Sequence, residues 1–176
     1  SNTVGVYRTA ATVKGGRRFS FSAMVVCGDR QGQVGLGYGK ANQVPNAIEK
    51  ATKKAKREMR EFPLTGTTIP HEVTGKFGAC SVRLVPASPG TGVIAGAAVR
   101  AVLDLLGVQD CLSKAYGSTN PKPITKAVID GLRQLRSRET VQMLRKVELE
   151  KTHTEQSHEA VPSVVAEKVT SEEATV

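Results

Sequence analysis

Two periods of apolar residues take turns along this chain. Val4 to Val13 is rich in Val, Tyr and Thr. After a short break, Phe19, Phe21, Ala23, Val25 and Cys27 occupy one side of an alternating run, with Ser20 and Ser22 on the other. A period of two marks a strand with one buried face. The break is Lys14-Gly15-Gly16-Arg17-Arg18, so the two runs predict a hairpin joined by a basic loop. Gly28-Asp29-Arg30-Gln31-Gly32 has the composition of a turn. Beyond it Val34, Leu36 and Tyr38 alternate with Gly35, Gly37 and Gly39 in a third strand. Glycine at every second position strips one sheet face of side chains, so another element or a ligand can approach the backbone closely.

The period then becomes helical. Pro45 suits a first turn, and Ala47, Ile48, Ala51, Ala55, Met59 and Phe62 recur on one side. Lys50, Lys53, Lys54, Lys56, Arg57 and Arg60 fill the rest; such a face is either solvated or a polyanion surface, and the nearby basic loop favours RNA. Phe62-Pro63-Leu64-Thr65-Gly66 breaks the helix and reads as a short linker. Thr67–Thr74 and Ser81–Pro86 read as strands around Gly75-Lys76-Phe77-Gly78. The loop Pro86-Ala87-Ser88-Pro89-Gly90-Thr91-Gly92 leads to a helix striped by Ala95, Ala98, Val99, Val102, Leu103 and Leu106, with Gly107 as its C-terminal cap. Val108–Tyr116 holds one more strand. Asn120-Pro121 opens a helix lined by Ile124, Val128, Leu132 and Leu135, and a short helix runs from about Glu139 to Val147. From Glu148 the sequence is rich in Glu, Thr, Ser and Val without firm periodicity; it reads as a mostly disordered acidic tail, or as a helix that docks on a partner. The predicted division is residues 1–64, 65–147 and 148–176, two small α+β domains and a tail.

Charge sharpens this picture. The chain has 176 residues and a formal net charge of +9. From Glu148 onward it has seven acidic and two basic residues, which leaves 23 basic against 9 acidic residues ahead of it. A block this basic points to a polyanion. Aromatic content of 4% without Trp argues against a surface that stacks single-stranded bases. Cys27, Cys80 and Cys111 are odd in number and far apart, so neither a disulfide framework nor zinc is expected and a reducing cytosol fits. No apolar run approaches membrane length and no signal peptide opens the chain. It starts Ser-Asn without Met, which leaves room for upstream residues.

Catalytic chemistry is hard to assemble. Gly35-Leu36-Gly37-Tyr38-Gly39-Lys40 misses the dinucleotide fingerprint by one place, and Val34 and Ala41 stand where a Walker loop needs Gly and Ser/Thr. His71-Glu72 begins like a zinc-protease helix, but Gly75 replaces the second His. His153 and His158 do not share a helical face. Gly90-Thr91-Gly92 at a helix start would attract phosphate, yet a kinase also needs an acidic magnesium ligand and a base. No enzyme, metal, cofactor or small-molecule substrate is expected. Lys14-Gly15-Gly16-Arg17-Arg18 carries the strongest signal: glycine permits close approach, and Lys with the planar forks of Arg neutralise phosphates.

The runs Lys14–Ala23 (KGGRRFSFSA), Val34–Ala51 (VGLGYGKANQVPNAIEKA), Gly66–Ala79 (GTTIPHEVTGKFGA), Pro86–Ala98 (PASPGTGVIAGAA) and Gly117–Leu135 (GSTNPKPITKAVIDGLRQL) closely resemble the bacterial-type ribosomal small-subunit protein S-five family. The similarity spans about Val4 to Leu135. It implies an N-terminal domain like a double-stranded-RNA-binding domain, a three-stranded antiparallel sheet plus a helix, then a second α+β domain shared with some kinases and translation factors. It further implies a structural constituent of the small ribosomal subunit in the cytoplasm. Such a protein binds ribosomal RNA near the decoding region, lies where messenger RNA enters, neighbours proteins S-four and S-eight, and serves subunit assembly and translational accuracy. The family's N-terminal loop, here Lys14–Arg18, lies near the spectinomycin site. RNA contacts are expected from Lys14, Gly15, Gly16, Arg17, Arg18, Lys40, Lys53, Lys54, Lys56, Arg57, Lys76, Gly90, Thr91, Gly92 and Lys122. Arg100 is expected to face S-four. Ala97 replaces a usual glycine, which would loosen close packing there, Tyr7 replaces a frequent Asn, and the tail extends past the usual end. A free RNA-binding regulator or chaperone, and a phosphoryl transferase, are the competing classes.

Overall fold

The structure, a computed structural model, describes residues 1–146. The expected acidic tail and Val147, the end of the last expected helix, lie outside them. Strands β1 (Asn2–Val13), β2 (Gly16–Gly28) and β3 (Gln33–Ala41) form an antiparallel meander, and helix α1 (Val44–Arg57) follows. A two-residue strand β4 (Arg60–Glu61) returns to pair Arg60 with Val34, so the sheet has four strands in the order β1-β2-β3-β4 rather than three.

Helix α1 sits on the glycine face of β3, as the alternation predicts. A Cβ at Gly35, Gly37 or Gly39 would overlap the carbonyl oxygens of Ala55, Ala51 and Ala47 respectively. These three alanines are fully buried and share a cluster with Ala23, Val25 and Cys27 of β2. Small residues on both partners let backbone pack on backbone. The helix stops at Arg57, earlier than its apolar period predicts. Phe62 is buried, but in the core shared with the second sheet.

The second sheet contains β5 (Val73–Phe77), β6 (Cys80–Pro86), β7 (Val93–Ile94) and β8 (Cys111–Gly117), in the order β5-β6-β8-β7, with β7 and β8 parallel. Its first strand starts later than expected. Pro70 cannot donate to a ladder, and Thr67 is otherwise engaged: its carbonyl accepts from Gln109 and Asp110 amides at 2.8 and 3.1 Å. Helices α2 (Ala97–Leu106), α3 (Pro121–Gln134) and α4 (Arg138–Arg145) complete the fold. Asn120 caps α3 by accepting from the Lys122 amide at 3.2 Å, and Ile124, Val128, Leu132 and Leu135 are buried as their spacing requires. Ala97 is exposed at the first position of α2, so no close packing depends on it.

The segment expected to be a linker is instead packed, with Phe62 buried and Leu64 partly buried against the same core. Val26 and Val34 of the first sheet join the same cluster as Val99, Val102, Leu103 and Leu106 of α2. This explains why Val26 is buried although it lies on the face opposite α1; Met24, buried on the same face, lies nearer Tyr38 and Lys122 of α3. An alternating pattern shows only one buried face, and here α2 covers the other. The turn after β2 bonds to the end of α2: Arg30 N–H donates to the Leu105 carbonyl (3.0 Å) and Gly32 N–H to the Leu106 carbonyl (2.9 Å). Two carbonyls that a helix end leaves unpaired are thereby satisfied. Gly28 and Gly107 permit the approach, since a Cβ on either would overlap the backbone of Leu105 or Arg30. From one side to the other, the layers are α1, the first sheet, α2 with α3, and the second sheet.

Gly37→Ala should lower stability by about 3 kcal/mol, the upper end for overpacking, because the obstructing atom is helix backbone; chemical denaturation reads this, and an unchanged midpoint would mean that α1 does not rest on Gly37. Burial pushes the Cys111 thiol up to about 11 and that of Cys80 upward. The folded protein should therefore resist iodoacetamide at both sites at pH 8, as mapped by mass spectrometry, and react at both once unfolded. Since the Cys111 shift is upward, its contribution to stability is complete below the ordinary thiol range and is lost as pH rises through about 11.

Candidate nucleic-acid interface

The pairing of β1 with β2 continues past the last β2–β3 pair, Phe21 with Ala41, to Val13 with Gly16. Five further residue pairs thus extend as a two-stranded arm, about 17 Å at the usual rise per residue. The turn itself is only Lys14-Gly15. Gly15 takes φ 99°, where a side chain is strained, whereas Gly16 is an ordinary strand residue paired with Val13. Arg17 and Arg18 are therefore strand residues opposite Thr12 and Ala11, not loop residues. An isolated two-stranded ribbon is marginal in water. Here the Arg8 guanidinium lies 4.9 Å from the Phe19 ring centre, and the Thr9 and Ser20 hydroxyls are 3.0 Å apart. Phe19, expected on a buried face, is 45% exposed because it lies beyond the alanine surface of α1.

Where the arm leaves the sheet, it and α1 bound an open notch of about 710 Å³. Arg18, Phe19 and Ser20 line it from the arm, Lys40 and Asn42 from the end of β3, and Asn46, Glu49, Lys50 and Lys53 from α1. The structure thus brings Arg18, Lys40 and Lys53 together across 35 residues of sequence. Lys53 Nζ is 2.7 Å from Glu49 Oε1, and this hydrogen bond, then its charge, holds the Glu49 carboxyl below its usual range. Lys54, paired with Glu58 at 3.7 Å, and Arg57 continue a basic strip along α1, with Lys56 exposed on the same helix. Asn42, Asn46 and Glu49 were not singled out by sequence reasoning, and Lys50 entered only as part of the helix's basic face. The i, i+4, i+7 spacing of Asn46, Lys50 and Lys53 on a helix would have found the stripe.

Other expected contacts lie elsewhere. Lys122 sits on α3 with its ammonium 4.0 Å from the Tyr38 ring centre, at the junction of the two halves. Lys76 is exposed on β5, and its amide donates to Asp130 Oδ2 at 3.2 Å. Gly90-Thr91-Gly92 does not open a helix, since β7 intervenes before α2. An anion already occupies this loop: Gly92 N–H donates to the buried Asp110 carboxylate at 2.9 Å, and Thr91 N–H to the Ser88 carbonyl at 3.2 Å. Arg100 is exposed on α2 and donates to the Val93 carbonyl at 2.9 Å.

Among the described residues, no group of three or more His, Cys, Asp or Glu is placed to hold a metal. His71 is engaged by backbone, its Nε2 accepting from the Arg136 amide at 3.1 Å, and Glu72 pairs with Arg83 through two bonds of 2.5 and 2.9 Å. No described helix is long and apolar enough to cross a membrane.

The comparisons agree with this architecture. Residues 1–63 match the family model "Ribosomal protein S5, N-terminal domain" and residues 75–145 match "Ribosomal protein S5, C-terminal domain". The chain is similar to the small ribosomal subunit protein uS5 of Syntrophobacter fumaroxidans, 58% identical over 142 residues, covering 81% of this chain and 86% of the relative. It is also similar to that of Thermus thermophilus, 56% identical over 143 residues (81% and 88%), and that of Rhodopirellula baltica, 54% identical over 142 residues (81% and 80%). With both halves matched in order and identity above half along most of its length, the chain belongs to the ribosomal protein S5 family.

Proposed function

We propose that this chain is a structural, rRNA-binding constituent of the small ribosomal subunit, and that its arm reaches into folded RNA. Proteins of this family are structural ribosomal proteins, and the chain is not an enzyme. The observation that carries the reading is the arm: a ribbon of five residue pairs past the sheet, bearing Lys14, Arg17 and Arg18 at its end. It buries little, so its sequence serves a partner. Arg17 and Arg18 lie on adjacent strand positions and so point to opposite sides of the ribbon, which suits insertion between two phosphate chains better than lying on one.

In this reading the arm lies near the decoding region and the path by which messenger RNA enters, and small-subunit assembly and decoding accuracy depend on it. The location is the cytoplasm of a bacterial cell. The exposed face of α2 with Arg100 looks toward S-four, and S-eight is the other protein neighbour. Lys40, Lys53, Lys54, Lys56 and Arg57 support the arm by neutralising phosphates along the flank of α1. Lys76, Lys122 and the rim of Gly90-Thr91-Gly92 would act through other RNA segments, since they lie on the second half of the molecule.

Neutralising about six phosphates should weaken binding to small-subunit rRNA about a thousandfold between 50 and 200 mM salt; a flat response in filter binding would contradict the electrostatic basis. Arg17→Ala with Arg18→Ala should reduce the salt slope by about two without moving the melting temperature. An unchanged slope would remove the arm from the interface.

A further inference from the structure

The notch between the arm and α1 holds more than cations. Arg18, Lys40 and Lys50 border it together with two amides, Asn42 and Asn46, and one carboxylate, Glu49. A surface that only collects phosphates gains nothing from a carboxylate among its lysines. Glu49 accepts from Lys53 through Oε1 at 2.7 Å, and its side chain is 63% exposed, which leaves acceptor capacity facing the notch. An ionised carboxylate cannot donate, so what it recognises must carry a donor. On a nucleic-acid backbone the donor is the ribose 2′-hydroxyl, the group that separates RNA from DNA. The volume, about 710 Å³, falls in the range that holds a drug-sized ligand, about one or two nucleotides.

We propose that this notch is a second RNA-binding site, at the flank of the arm and sharing Arg18 with it, that seats one sugar–phosphate segment: Arg18, Lys40 and Lys50 take the flanking phosphates and Glu49 accepts from a ribose 2′-hydroxyl. Asn46, one turn of α1 from Lys50, offers a further amide to the same sugar. The site rests on the RNA-binding reading above and adds to it a ribose-specific contact. Lys53 balances Glu49, so the carboxylate can sit beside phosphates without a net repulsive charge. Phe19, half exposed at the mouth, gives the segment an apolar wall.

The test uses the full chain and deproteinised small-subunit rRNA. Nuclease protection defines a bound fragment, which is then made in two forms, with ribose and with 2′-fluororibose; fluorine keeps the A-form pucker and removes the donor. The wild-type chain should bind the fluoro form about ten- to a hundredfold more weakly, the worth of a hydrogen bond to a charged group. Glu49→Ala should bind the ribose form more weakly than wild type, since the 2′-hydroxyl loses its acceptor, and should no longer distinguish the two forms. Lys50→Ala keeps the Cβ that packs beside Gly39 and should weaken both forms about equally. If Glu49→Ala keeps the wild-type preference, or the wild type has none, the ribose-reading site is overturned, while a loss of affinity in a Lys14→Ala with Arg17→Ala variant, which leaves the notch untouched, would leave the arm reading intact. If the wild-type chain protects no fragment, both readings fall.

Discussion

Everything in this molecule is referred to one sheet held between the backbones of two helices. On one face the glycines of β3 let α1 settle until its carbonyls at Ala47, Ala51 and Ala55 meet the strand. On the other, the turn at Gly28–Gln33 donates to the last carbonyls of α2. Neither contact relies on long side chains, which could swing or repack. Backbone resting on backbone has almost no give, since interiors are close-packed and intolerant of an added methyl. The first sheet therefore acts as a fixed platform, and the two halves share a core through Val26, Val34 and α2.

That rigidity explains how a ribbon of few contacts can be a precise tool. The arm has little core of its own, and at its base one of its strands, β2, continues into Ala23–Cys27, which are buried on both faces. The cations at its end, Lys14, Arg17 and Arg18, are exposed. Where cations do meet carboxylates, as at Lys53–Glu49 and Lys54–Glu58, both partners are largely exposed, and such pairs add little to stability. Folding is thus carried by alanine, glycine and aliphatic contacts, while the positive charge is left for another molecule. A polyanion with its own folded shape is the partner that uses both the fixed geometry and the charge.

Much of this was legible in the chain. The Gly35, Gly37, Gly39 alternation announced a close approach, and the Ala47, Ala51, Ala55 spacing supplied what approaches. Gly107 and Asn120 marked a helix end and a helix start. What failed did so for physical reasons. A period of two reveals one buried face and is silent about a second, so Met24 and Val26 were missed. A run with Pro and Gly looks like a linker even when Phe62 and Leu64 anchor it in the core. Gly90-Thr91-Gly92 looked like a helix start, but β7 intervenes before α2, and the Gly92 amide is taken by the carboxylate of Asp110, eighteen residues on. The notch was invisible because Arg18, Lys40 and Lys50 converge only when the hairpin, the end of β3 and α1 are placed together.

The most direct test is a side-chain-resolved map of a small ribosomal subunit that carries this chain. The account predicts that Lys14, Arg17 and Arg18 lie within ion-pair distance of RNA phosphates on both sides of the arm, with α1 still seated on Gly37. An arm lying free in solvent, or packed against protein alone with its cations away from RNA, would contradict it.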